Sequence, residues 1–311
     1  MALFLSLTSS AQILVPFMNE TNTFVFMDAN NNPSSIKLEF DRGEIFSGNY
    51  TAIRVNKKWG IIDHSGRTIV PFEYEEIEVT GNYATLIRNQ KTDLLDIKNN
   101  KFFPVRFDLV REVSENFATV ARSNKWSYVD LKSFTSFTQQ FDRTSGFHEG
   151  LAAVCVKDKW GFVDAKMNSV VPLQFEKAEN FSEGLAAFMV QGKWGFVNRK
   201  GKIILLPQYD KVTSFGEGKA GVLKDGKWFF IDRQGQVILQ SSYHDFSNFS
   251  EGLAAFSYFS KWGFMDKNGK EIISPKYEAV TDFKNGFAWA YLDGKRFAIN
   301  KKGIEFRKTV Q

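Results

Sequence analysis

The sequence is poor in the residues that carry most recognisable chemistry. It has 1 cysteine, Cys155, and 3 histidines among 311 residues, so no intramolecular disulfide and no thiolate metal cluster can form. No apolar run approaches the roughly 18 residues that a membrane-spanning helix needs. Charge of one sign is scarce as well: 40 basic residues against 35 acidic leave a net +5, too even for the dominant positive field of a nucleic-acid binder. No window of about 11 residues keeps the 3.6-residue apolar period of a helix. Phosphate-loop, dinucleotide and metal-ligand spacings are absent; Gly216-x-Gly218-x-x-Gly221 sits among turns with no helix after it. His64, His148 and His244 fall at different phases of the chain's periodicity and are not expected to cluster around one centre, and no sequence elbow or oriented base accompanies Cys155. No cofactor is implied.

Aromatic residues are abundant, 15% of the chain, and periodic. Trp126, Trp160, Trp194, Trp228 and Trp262 recur every 34 residues. Trp59 stands two repeats before Trp126, with Thr92 at the tryptophan position of the eroded copy between them; Phe24 and Arg296 mark the same position at the two ends. Nine copies of one strand therefore tile the chain. A second row runs Phe147, Phe181, Phe215, Phe249 and Phe283, each followed three residues later by Gly150, Gly184, Gly218, Gly252 or Gly286. These glycines suit a turn position with positive φ. A third row couples an aromatic to an acid, with acids at Asp41, Glu75, Asp108, Asp142, Glu176, Asp210 and Glu278; Tyr243-His244 departs from it. Such an acid can cap a turn or pair with the recurring lysines. Asn or Asp three residues before Gly, as in Asn198/Gly201, predicts a type I turn, with Ser133 and Met167 breaking the rule.

Each unit reads as an all-β meander of short strands. The rows Trp59, Trp126, Trp160, Trp194, Trp228, Trp262 and Gly150, Gly184, Gly218, Gly252, Gly286 are structural positions, the recurring Trp and Phe being mostly core and serving as the aromatic weld between stacked repeats. Lys58-Trp59-Gly60-Ile61-Ile62-Asp63, Lys159-Trp160-Gly161-Phe162-Val163-Asp164, Lys193-Trp194-Gly195-Phe196-Val197-Asn198 and Lys261-Trp262-Gly263-Phe264-Met265-Asp266 resemble the motif of the bacterial WG (KWG) β-repeat family. Ser127 and Phe229 replace the motif glycine. The resemblance covers about residues 13–306 and implies a binding array with no general catalytic signature.

The expected architecture is an open, twisted array of tandem β-meanders; a closed β-propeller of about eight blades is the alternative. Residues 12–311 read as one repeat domain of eight to nine units. Residues 1–11, an apolar run ending in Ser9-Ser10-Ala11 without a basic start, read as a shortened signal peptide, which implies an extracytoplasmic protein, with a cytoplasmic one as the alternative. The even spread of features points to a non-catalytic scaffold for a protein or polysaccharide partner; a glycan-binding array and, further off, a hydrolase site assembled across repeats are the competing readings. No nucleic acid and no membrane span are expected. The sequence leaves the oligomeric state open.

Overall fold

The computed structural model describes residues 14–307 except 29, 31, 242 and 244. The residues read as a signal peptide, and His244, lie outside them. Among the described residues there is no helix; strands and two-residue turns account for the regular structure. The tandem repeats are arranged as a β-propeller. Eight meander blades follow a two-stranded hairpin, seven of them four-stranded and one three-stranded. In chain order they are blade 1 (42–74), blade 2 (76–102), blade 3 (109–136), blade 4 (143–175), blade 5 (177–209), blade 6 (211–241), blade 7 (245–277) and blade 8 (279–300). The nine copies of the tryptophan strand are all present, from Phe24–Asp28 to Lys295–Asn300.

Blade 5 shows how 34 residues suffice. Its first strand, Lys177–Ala178, has only two residues, and Leu185–Val190, Lys193–Asn198 and Ile203–Tyr209 complete the meander. Two-residue turns join the strands. At Glu183-Gly184 and Gln191-Gly192 both central residues have positive φ, the type I′ geometry that matches strand twist. The third turn is the expected one: the Gly201 N–H donates to Asn198 O at 2.9 Å, and Asn198 Oδ1 accepts from the N–H groups of Lys200 and Lys202. Met167 keeps this turn without glycine by adopting φ 64 itself, its N–H still donating to Asp164 O. After Ser133 the positive φ moves to Phe134.

The motif glycine has a through-space reason. A Cβ on Gly161, Gly195 or Gly263 would meet the backbone oxygen of Val171, Leu205 or Ile273 at 2.4–2.5 Å. The fourth strand crosses there so closely that only glycine fits, and its pairing register shifts at the same point. In blade 6, where Phe229 replaces glycine, pairing runs without a shift from Trp228 through Phe230.

The chain forms two compact units: the described residues within 1–89, 93–102 and 305–311, and those of 90–92 and 103–304. In the first, the hairpin that opens the described chain meets residues 306 and 307. The Met18 N–H donates to Phe306 O at 3.3 Å, Met18 pairs with Arg307, and Phe306 is buried. The open array expected above is therefore not adopted. An open stack needs polar capping repeats, whereas here the C-terminal segment satisfies the edge of the N-terminal hairpin. In the second unit, a ladder of ring pairs joins successive blades: Phe162–Phe181, Phe196–Phe215, Phe230–Phe249 and Phe264–Phe283, with centroids 4.7–5.3 Å apart.

Candidate interaction surface

The tryptophan row shares the weld with the phenylalanines: Trp59 and Trp228 are buried in core clusters that include residues of the following blade, and the half-buried Trp160 and Trp194 pack against such clusters. Trp126 and Trp262 are half-buried too. Trp160, Trp194 and Trp262 stand opposite the aromatic that ends their own fourth strand: Phe175, Tyr209 and Tyr277. The residue two positions on, Phe162, Phe196 or Phe264, faces the next blade and is fully buried. The Trp and the Phe, two residues apart, share a face of the strand, so their difference in burial follows position along the strand.

The glycine row behaves as expected and does more. Gly150, Gly184, Gly218, Gly252 and Gly286 all have positive φ. Each N–H also donates to a glutamate one repeat back, at 2.7–2.9 Å: Glu115, Glu149, Glu183, Glu217 and Glu251 in turn. Three of these carboxylates take a cation from farther along the chain: Arg233 on Glu183, Lys267 on Glu217 and Lys301 on Glu251, at 2.9–3.2 Å. Both rows keep the 34-residue period, so the signal was in the sequence; their meeting across 50 residues was not. Glu251 is held below the ordinary glutamate range, Lys301 and the Gly286 N–H outweighing partial burial.

The aromatic–acid row caps turns. Asp41, Glu75, Asp108, Asp142, Glu176 and Glu278 accept from the N–H groups of Lys57, Asn89, Ser123, Lys157, Gln191 and Asp293 in the second turn of each blade. Lys91, Lys125 and Lys193 pair with Asp108, Asp142 and Asp210, and these hydrogen bonds hold the three aspartates below their usual range.

His64, His148 and Cys155 each have partners of their own. His64 stacks on Phe46 and its Nε2 lies 3.1 Å from Gly48 O. His148 Nε2 lies 2.8 Å from Glu112 Oε1, while Glu112 Oε2 accepts the Gly146 N–H. That pair exists because the first strands of blades 3 and 4, Leu109–Ser114 and Arg143–His148, are six residues long rather than two. The Glu112 carboxylate, helped by Glu115 and Glu149, raises His148 against burial, and His148 lowers Glu112. Cys155 is buried, its Sγ 3.5 Å from Arg143 Nη2. No group of three or more His, Cys, Asp or Glu able to hold a metal occurs among the described residues.

Four departures from the repeat gather at blades 6 and 7: Phe229 for glycine and His244 for the capping acid, both legible in the sequence, and beside them a fourth strand without proline and Phe259-Ser260 in the second turn. The equivalent first turn residues are Asn56, Asn89, Ser123, Lys157, Gln191, Asp225 and Asp293. Phe259 takes φ 46 and is 75% exposed. It packs edge-on against Tyr258 (4.4 Å), Tyr258 meets Tyr243 (5.9 Å), and Tyr243 lies on Phe256 (4.1 Å). A bulky side chain in left-handed geometry is costly, and Phe259 recovers little burial in return.

Fold and repeat chemistry together define a β-propeller of WG-type meanders. The WG-containing-repeat family matches residues 26–59, 59–85, 139–160, 160–194, 194–228, 228–258 and 262–295, more than half of the chain, and the chain belongs to that family. No curated protein matches it. A solved structure described as the eukaryotic initiation factor is similar, with TM-score 0.66, 11% identity, and coverage of 96% of this chain and 95% of that one. Dihydro-heme d1 dehydrogenase NirN in complex with DHE (TM-score 0.49, 10% identity, 84% and 72% covered) and Kluyvelomyces marxianus Hsv2 (0.46, 10%, 76% and 96%) are more distant. At such identities the first likeness shows the fold and nothing of function.

Proposed function

We propose that the protein is a non-catalytic, protein-binding scaffold whose contact surface is the aromatic corner of Tyr243, Tyr258 and Phe259. The observation that carries this reading is Phe259: strained backbone bearing an exposed ring, at a turn where the other copies carry polar residues. A bulky residue held in left-handed geometry points to a functional position, and aromatic side chains are enriched at the centres of protein interfaces. The regularly spaced carboxylates, by contrast, are occupied in capping turns and bridging blades, which leaves them no obvious catalytic duty. An extracytoplasmic setting, expected from residues 2–11, belongs to the same proposal.

The test compares wild-type protein with Tyr258→Ser/Phe259→Ser as bait in envelope extract, beside a glycan array. Proteins retained by the wild type and lost by the double variant support the reading; glycan binding with no variant-sensitive protein contradicts it. Envelope material whose mature chain starts at Gln12 supports the setting, and an intact Met1 or Ala2 contradicts it.

A further inference from the structure

The fourth strand of blade 6, Val237–Ser241, ends its sheet in the order first to fourth strand, and no described strand pairs with its far edge. Edge strands invite pairing, and proteins blunt them with proline, charge or a bulge. The sibling strands use these devices. Pro71, Pro172, Pro207 and Pro275 sit in the fourth strands of blades 1, 4, 5 and 7, and all four strands carry the register shift opposite the motif glycine. Glu73 adds charge to blade 1, and Glu271 and Lys276 to blade 7.

Blade 6 lacks the proline and the charge, and of the shifts keeps only the one between Phe230 and Ile231. From Gln234 to Ser241 the chain is Gln-Gly-Gln-Val-Ile-Leu-Gln-Ser, without proline or charge. Phe229 in place of glycine removes the shift at the motif position and leaves a regular ladder through Leu239, Gln240 and Ser241. Val237 is 60% exposed and Ile238 45%. A short, neutral, β-branched, proline-free stretch is the composition that stacks strand on strand.

We infer that this edge is a self-association surface: a second copy of the chain adds its own Val237–Ser241 strand antiparallel, about a two-fold axis through Leu239. Charge decides the occupant. A neutral strand meets its own copy without like-charge repulsion, and it offers no charge with which to select a foreign peptide. A two-fold interface is self-complementary by construction; it sets Leu239 against Leu239 and Ile238 against Gln240, and joins two four-stranded blades into one eight-stranded sheet. This surface is distinct from the Tyr258/Phe259 turn and stands whether or not that turn binds a partner.

Sedimentation velocity over a concentration series tests it, with Val237→Lys/Ile238→Lys as the disrupting variant. Both side chains are largely exposed, so the variant should fold, which circular dichroism checks. Leu206→Lys, more exposed still and in the proline-blunted strand of blade 5, is the control. The expected result is a wild type and control that reach twice the chain mass, and a double-lysine variant that stays at one. Slowed amide exchange at residues 237–240 with rising concentration is the accompanying signature. A wild type that stays monomeric throughout, or a dimer that survives the double substitution in folded protein, overturns the inference.

Discussion

Phe196 and Trp194 stand two residues apart on one strand and differ sharply in burial: Phe196 is fully buried against Phe215, while Trp194 is half-exposed over Tyr209. Replacing Phe196 with Ala should therefore cost roughly 3–5 kcal/mol, the range for a buried large aromatic, and leave a cavity. Trp194→Ala should cost clearly less, and denaturant unfolding of both variants measures the difference. The Glu112–His148 pair gives a second residue-level expectation. His148 is raised in the fold, so its contribution is complete below the ordinary histidine value of 6.5 and fades as pH climbs through the raised value. Glu112 is lowered, so its contribution is complete above the ordinary 4.5 and fades as pH falls through the lowered value. The stability gap between wild type and Glu112→Gln should thus be widest between those two values, and at most about 1 kcal/mol for so exposed a pair. Unfolding midpoints across pH check it.

At the scale of the strand and turn, much was legible. Glycine and asparagine punctuate the chain because positive φ is a local demand, and local demands leave a periodic mark in sequence. The glycine of the WG motif is different. Its cause is the fourth strand passing within 2.5 Å of where a Cβ would be, a contact between residues ten apart that spacing does not reveal. Gly195→Ala should cost on the order of 1–3 kcal/mol through overpacking. Gly192→Ala, in open space but at φ 71, should cost about 1 kcal/mol from left-handed strain alone. Thermal unfolding of the two variants separates crowding from strain. The glutamate ladder was equally hidden. Glu149 reads as one more polar turn residue until its carboxylate is seen on Gly184.

At the scale of the whole molecule, sequence reading left two arrangements of one repeat, because both stack identical meanders and differ only in whether the ends meet. Phe306 decides between them: it lies near the C-terminus yet is 1% exposed, and its carbonyl accepts from Met18. Phe306→Ala should destabilise the protein as a core substitution does, by roughly 3–5 kcal/mol, and a loss too small to measure in the unfolding midpoint would contradict closure. The functional claim rests on Phe259. Hydroxyl-radical footprinting of the protein in envelope extract and in buffer tests it most directly, side chain by side chain. The account predicts that Tyr258 and Phe259 lose labelling in extract while the exposed Phe102 keeps it; unchanged labelling of Phe259 in extract that protects another face would contradict the account.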